Sequence, residues 1–417
     1  MNLFRGLLLS FMCLCFWCVS ARATKIKLIE GNWKGILTLS PTANLPFDVR
    51  IKILDKTKQL DVHIINGKED IALVYTGRIN DSIKLEFPAF ATYLILKPLK
   101  NSRLEGYWVN PNKTNKYRIP CFITYGSGKR FEHPALYQSS VQPADVQGKW
   151  ETTFEAGTSD SSKAVGIFQQ RYNEISGTFL TETGDYRYLE GNVVSDSLFL
   201  STFDGSHAFL FKARINKNSV IQGDFYSGKH WSCKWVAFKN NSFELAHPDS
   251  LTYLTKSEPF TLQIKPDSEI VFQFPNQNTK NKVVILQIMG TWCPNCMDES
   301  RFFKELYQKY HSQGLEIYAL CYESGSDVNI QKQRIATFIE RMRPGYEFIL
   351  AGTASKGVAS QHFKMLNQVM SFPTAIIIGK DGEVKRIHTG FNGPGTGVYY
   401  TEYTKEMDVF IQDLLKN

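Results

Sequence analysis

Two tandem all-β units, each an antiparallel barrel or sandwich, followed by an α/β domain make up the multidomain fold class this chain predicts. Three observations carry that expectation. From Ile26 to about Lys239, short runs rich in Val, Ile, Phe and Tyr are separated by Gly, Asn and Asp turns, with no long helical period. Motifs inside that stretch recur in the same order. After Asn240, apolar strands alternate with helix-period segments.

The first residues read as a leader rather than as part of the fold. Arg5 gives a short positive start, Leu7 to Val19 is an uncharged apolar run, and Ala21-Arg22-Ala23 has the small-x-small shape of a cleavage site. The run is shorter than the ~20 residues a membrane-spanning helix needs. The expectation is a signal peptide at 1–23 and an exported, periplasmic protein with no membrane span after cleavage. An uncleaved signal acting as an anchor is the alternative.

The first β unit is expected over 24–132, with runs such as "FDVRIKIL", "SIKLEF" and "TYLILKPL". The second is expected over 147–240 as a repeat of the first. "GNWKG" at Gly31 is echoed by "GKWET" at Gly148, "GRINDSIKLEF" at Gly77 by "GNVVSDSLFLS" at Gly191, and "RLEGYW" around Gly106 by "VIQGDFY" around Gly223. The offsets are 117, 114 and 117 residues. Three matches in register point to a duplicated unit. Cys121 and Cys233 fall near the last strand of their units and are candidates for equivalent positions. Trp33 and Trp150 are expected as core anchors, and the Gly-x-Trp that opens each unit resembles that of lipocalin-like barrels. His133 to Val146, with its prolines and small polar residues, reads as a linker.

The α/β domain is expected over 257–417. "KVVILQIMG" lacks alternation, as a strand buried on both faces does. Phe302, Phe303, Leu306, Tyr307 and Tyr310 then recur at helical spacing, and Gly314 stops that helix. "LEIYALCYE" is the next buried strand, followed by helix-like "NIQKQRIATFIERM". "TAIIIG" and "EVKRIHTG" flank Lys380-Asp381-Gly382, a hairpin signal, and a last helix is expected from about Thr401 to Leu415. "FNGPGTG" (Phe391 to Gly397) lacks the Lys-Ser/Thr ending of a phosphate loop and reads as a mobile loop before that helix.

The chemistry centres on "GTWCPNC", Gly290 to Cys296. A structural zinc would need four ligands, and the chain beyond the expected leader has a single Cys-x-x-Cys, so no metal is expected. A purely structural bridge between Cys293 and Cys296 would close almost no loop, and so would stabilise little. A peroxidatic cysteine would need Thr or Ser three residues earlier, where Gly290 and Cys293 stand. A redox couple remains. Cys293 falls where a buried strand passes into a helix, and the free N–H groups there favour thiolate. It is the expected nucleophile, with Cys296 one turn on as the resolving thiol. About 77 residues later Pro373 stands directly before a strand, where it fits a cis-proline loop facing the cysteines.

On the combination Trp292-Cys293-x-x-Cys296, Glu299 and Phe372-Pro373-Thr374, the segment from Ser257 onward resembles the exported thiol:disulfide oxidoreductases of the TlpA/ResA type, within the thioredoxin superfamily. The resemblance covers roughly two-fifths of the chain. It implies a thioredoxin-like fold, a redox disulfide between Cys293 and Cys296, and thiol–disulfide exchange without a cofactor. It also implies protein thiol or disulfide substrates, an upstream electron donor, and substrate binding by Trp292, Phe372 and Pro373. Thioredoxin itself carries an acidic residue six positions before its first cysteine; here that position is Gln287. ResA-like proteins carry Glu three residues after the second cysteine, which is Glu299, so the resemblance implies an acid/base role for it. Many relatives have Pro directly before the second cysteine, where this chain has Asn295. The motif therefore leaves the direction of exchange open, with disulfide reduction the expected one.

Composition narrows the partners. The formal charge of +8 comes from interspersed lysines and acids with no basic block, which argues against nucleic acid. Three of the eight cysteines lie in the leader, leaving Cys121, Cys233, Cys293, Cys296 and Cys321. That is too sparse for a disulfide scaffold. Cys321, on an apolar strand, is expected as a buried free thiol. A second functional class stands beside the first: a β-rich binding protein with an accessory or inactive redox domain.

Overall fold

The computed structural model describes residues 28–54, 59–113, 116–132, 142–256, 258–266 and 270–416. The expected leader at 1–23 and most of the expected linker lie outside them. Among the described residues no helix is long and apolar enough to cross a membrane.

Of barrel and sandwich, both β units are barrels. Eight antiparallel strands run in sequence order from Gly31–Ser40 to Arg118–Tyr125, and the first pairs with the last. Closure removes both edges. In the strand Ala43–Leu54, the residues Leu45, Phe47, Val49 and Ile51 are buried and alternate with half-exposed ones, as a barrel wall requires. The second barrel closes through Gly148–Phe154 pairing with Trp231–Lys239 and through Ser162–Arg171 pairing with Glu174–Thr181. A two-residue strand, Gly184–Asp185, folds back on Leu180–Thr181 and stands outside the closed ring.

The recurring motifs occupy matching places. Gly31 and Gly148 open the first strands. Gly106 and Gly223 lie on the strands next to last, Arg103–Val109 and Val220–Ser227. Trp33 and Trp150 are buried, and each donates its indole N–H to the carbonyl four residues earlier, Ile29 at 3.1 Å and Val146 at 2.8 Å. Cys121 and Cys233 are not equivalent. Gly106 pairs with Cys121, but Gly223 pairs with Trp235, two residues beyond Cys233. The turns before the last strands differ in length, so proximity in sequence misplaces the register by one same-face step.

The barrels are locked together. Phe203 of the second barrel inserts among Phe47, Phe87 and Trp108 of the first, with ring centroids 4.9–5.2 Å away. Arg130, just after the first barrel, is buried and donates to Asp48, the Ile65 carbonyl, Asn66 and Ser201 at 2.9–3.1 Å. Four bonds in fixed geometry meet the desolvation cost of that guanidinium.

The C-terminal sheet has five strands in the order Glu347–Thr353, Leu315–Glu323, Val283–Met289, Thr374–Ile378, Val384–Thr389. The first three are parallel and the last two antiparallel. Helices Pro294–Tyr310, Val328–Met342 and Val398–Lys416 accompany it. The strand Val283–Met289 is buried at every position, which explains its unbroken apolar sequence. Part of the stretch between the second barrel and this sheet is docked. The short helix Pro248–Leu251 holds Asp249 2.6 Å from His388 Nδ1, and Thr389 Oγ1 donates to Thr252 Oγ1 at 2.7 Å.

Candidate functional site

The helix Pro294–Tyr310 begins directly after the central strand. Cys293 is its N-cap and Pro294 its first residue, where a missing N–H costs nothing. The Cys296 amide points at Cys293 Sγ from 3.2 Å. The two cysteines form a disulfide with Cα atoms 5.2 Å apart. Cys296 is fully buried and Cys293 is 6% exposed. The Phe372–Pro373 peptide is cis, and the Phe372 carbonyl lies 3.4 Å from Cys293 Sγ. Trp292 donates its indole N–H to the Tyr322 carbonyl at 2.9 Å and packs edge-on against Phe372. All six residues singled out in the sequence belong to the C-terminal domain. Trp292, Cys293, Cys296, Phe372 and Pro373 meet at the disulfide, and Glu299 lies two turns into the helix.

Glu299 is fully buried. Its Oε2 accepts a 2.8 Å hydrogen bond from Gln287 Nε2, and among the described residues its Oε1 has no hydrogen-bond partner. Gln287 is held by Ser300 and by the Tyr346 hydroxyl, which fixes its amide toward the carboxylate. Burial pushes the Glu299 carboxyl up to about 8, and the Gln287 hydrogen bond offsets only part of that. Gln287 therefore fills the strand position as a neutral donor, and the titrating group stands on the helix.

The remaining cysteines stay apart from this pair. Cys121, Cys233 and Cys321 are buried free thiols. Burial holds the Cys321 thiol well above its usual range, so it stays protonated.

Sequence reading missed what the second barrel contributes. Asn295, inside the Cys-x-x-Cys, donates to the Asp185 carbonyl of that barrel at 3.3 Å and to the Phe391 carbonyl at 3.2 Å. Ser206 Oγ donates to the Trp292 carbonyl at 3.2 Å, and Ser371 Oγ to the Thr183 carbonyl at 3.0 Å. The segment Phe391 to Gly397, expected to be mobile, is packed under the barrel instead. The Gly393 amide donates to Asp185 Oδ2 at 2.6 Å, and a Cβ there would come within 2.7 Å of Asp298 Oδ2. Its glycines thus serve close approach rather than freedom.

Arg187 of the second barrel is buried and forms ion pairs with Glu69 of the first barrel and with Asp298, two residues past Cys296. Asp204 lies 3.6 Å from its Nε. One guanidinium thus joins all three domains beside the redox motif. Nothing in "GDYRYLEG" signals this, because the partners in the other two domains, Glu69 and Asp298, are distant in sequence. Arg187→Ala is expected to destabilise the protein by about 3–5 kcal/mol, since it leaves buried carboxylates without a counter-charge. Urea denaturation of the two proteins measures it.

A five-stranded α/β domain with a helix-capping disulfide and a facing cis-proline is a thioredoxin-like redox domain. Residues 259–387 match the model of the AhpC/TSA family. The C-terminal part of the chain resembles thiol-disulfide oxidoreductase ResA of Geobacillus kaustophilus, at 35% identity over 113 residues, or 27% of this chain and 56% of that protein. ResA of Bacillus thuringiensis is 28% identical over 160 residues, covering 37% of this chain and 83% of that protein. The chain spans about half the length of most of the curated relatives it matches. Among solved structures, StoA from Bacillus subtilis aligns at 18% identity and a TM-score of 0.25, covering 37% of this chain and 98% of that one. A secreted thiol-disulfide isomerase from Corynebacterium glutamicum aligns at 16% and 0.29, covering 42% and 99%.

Proposed function

We propose that this protein is a thiol–disulfide oxidoreductase that acts on exported proteins, reducing partner disulfides through Cys293 and Cys296. The observation that carries the reading is the Cys293 sulfur at a helix N-terminus, 3.4 Å from the carbonyl before a cis-proline. The similarity of the C-terminal part to ResA supports it. The leader-like residues 1–23 support an extracytoplasmic, periplasmic setting.

In the reduced protein the helix N-terminus stabilises a Cys293 thiolate. That thiolate attacks one sulfur of a partner disulfide. A mixed disulfide forms and the other partner sulfur leaves as thiolate. Cys296 then attacks Cys293 Sγ, giving its proton to Glu299 in its ionised fraction, and the second partner sulfur leaves. Two electrons pass to the partner and the Cys293–Cys296 disulfide remains, to be reduced again by an upstream thiol donor. A carboxyl near 8 is close to an ordinary thiol, about 8.5, so the proton transfer is nearly balanced. Trp292, Phe372 and Pro373 form the surface against which the partner segment lies.

Cys296→Ser removes the resolving thiol, so the mixed disulfide persists. The variant is expected to retain partner proteins in a reductant-sensitive adduct on Cys293, seen as a mass shift. No adduct with any exported disulfide protein would reject the reading.

A further inference from the structure

The wall around the disulfide belongs partly to another domain. Two loops of the second barrel straddle the Cys-x-x-Cys. The hairpin Thr181–Asp185 lies on the side of Asn295 and Ser371, and the turn Asp204–His207 lies on the side of Trp292. The hairpin presents backbone. The Thr183 carbonyl meets Ser371, two residues before the cis-proline, and the Asp185 carbonyl meets Asn295. These are contacts of the kind an extended partner segment would make beside Cys293. With them in place Cys293 is 6% exposed. An incoming thiolate must reach a sulfur in line with the bond it breaks, so access limits the reaction.

We propose that the hairpin Thr181–Asp185 is a tethered occupant of the partner's place on the redox face, and that it swings aside when a partner binds. The proposal rests on the redox reading above and adds a class of partner to it. Only a cysteine carried on an extended, locally unfolded segment fits the slot that the edge of a hairpin vacates. Leaving breaks the bonds that Asp185 makes with Asn295 and the Gly393 amide, but it does not open the barrel. The hairpin's short strand Gly184–Asp185 pairs only with Leu180–Thr181 and is no part of the closed ring, so its displacement leaves the barrel shut. Gly184 has φ +139°, which few other residues adopt. A Cβ there would come within 2.1 Å of Asn295 Nδ2 and 3.2 Å of the Phe391 carbonyl. The close seat thus depends on a missing side chain.

The test uses the full-length reduced protein and its Gly184→Val variant, whose side chain holds the hairpin off the redox face. Cys293 is labelled with iodoacetamide and with a maleimide bearing a long polyethylene glycol chain. Labelling by the bulky reagent follows the open fraction, so the variant is expected to gain roughly tenfold with it and less with iodoacetamide. Hydrogen exchange on the wild type stands beside this. Thr183–Asp185 amides are expected to exchange faster than those of Glu174–Thr181. Hairpin amides as slow as the barrel's, or a displaced hairpin without faster bulky labelling, would overturn the proposal. Equal exchange by both proteins with an extended peptide disulfide would overturn it too. Labelling as expected, with neither protein exchanging any disulfide, would retain the cap and reject the redox function.

Discussion

Cys293→Ser is expected to abolish thiol–disulfide exchange to background, while Cys321→Ser leaves it close to wild type. Both side chains are sulfur nucleophiles in principle, and their surroundings separate them. Cys293 caps a helix, with the Cys296 amide pointing at its sulfur. The free N–H groups and dipole of that terminus lower the cost of a thiolate. Cys321 is fully buried on the strand Leu315–Glu323, where burial and the nearby Glu323 carboxylate favour the neutral thiol. Reduction of insulin by each variant, driven by dithiothreitol, measures the contrast. Residual activity in Cys293→Ser comparable to wild type would move the nucleophile elsewhere.

Glu299→Gln is expected to slow exchange by about 10²-fold at neutral pH, the usual scale of a lost general base. It should also remove an inflection near pH 8 from the rate profile. The same group makes stability depend on pH, and the sign follows from its direction. Burial raises the folded carboxyl from 4.5 to about 8, so between those values the folded state holds a proton that the unfolded state has released. Stability is therefore full below about 4.5 and falls as pH rises toward 8, by up to roughly 1.4 kcal/mol per pH unit in that window. Glu299→Gln keeps the shape and cannot titrate. Its melting temperature should be flatter across that range and exceed wild type at the alkaline end. Identical profiles for both proteins would leave Glu299 a structural residue only.

The redox pair was legible because its chemistry is local. A buried strand, two cysteines one turn apart and a proline before the next strand are written in short range, and Glu299 follows at a fixed helical step. The barrels were legible as β units with matching motifs, since turns and alternation are also local. Register was not: Cys233 stands two residues short of Trp235, which pairs with Gly223 as Cys121 pairs with Gly106. The loop Phe391 to Gly397 was misjudged for a related reason. Glycines mark freedom or close approach alike, and only the position of Asp185 decides between them. Arg187, Asp185 and Ser206 carried no signal at all. The partners that join them to the other domains lie far off in the chain, and no spacing rule links positions more than 80 residues apart.

Phe203 bears on how such a chain could be inherited. Strand pairing draws a clean border between Tyr125 and Gly148. Packing does not respect it, because the ring of one barrel completes the aromatic cluster of the other. A gene cut at that border would release a barrel with an open aromatic mouth and a neighbour with a protruding phenylalanine, each prone to associate with other chains. Duplicated modules are usually free to be shuffled, lost or multiplied. Here the wedge makes two modules a single heritable block, and recombination would have to move them together or not at all.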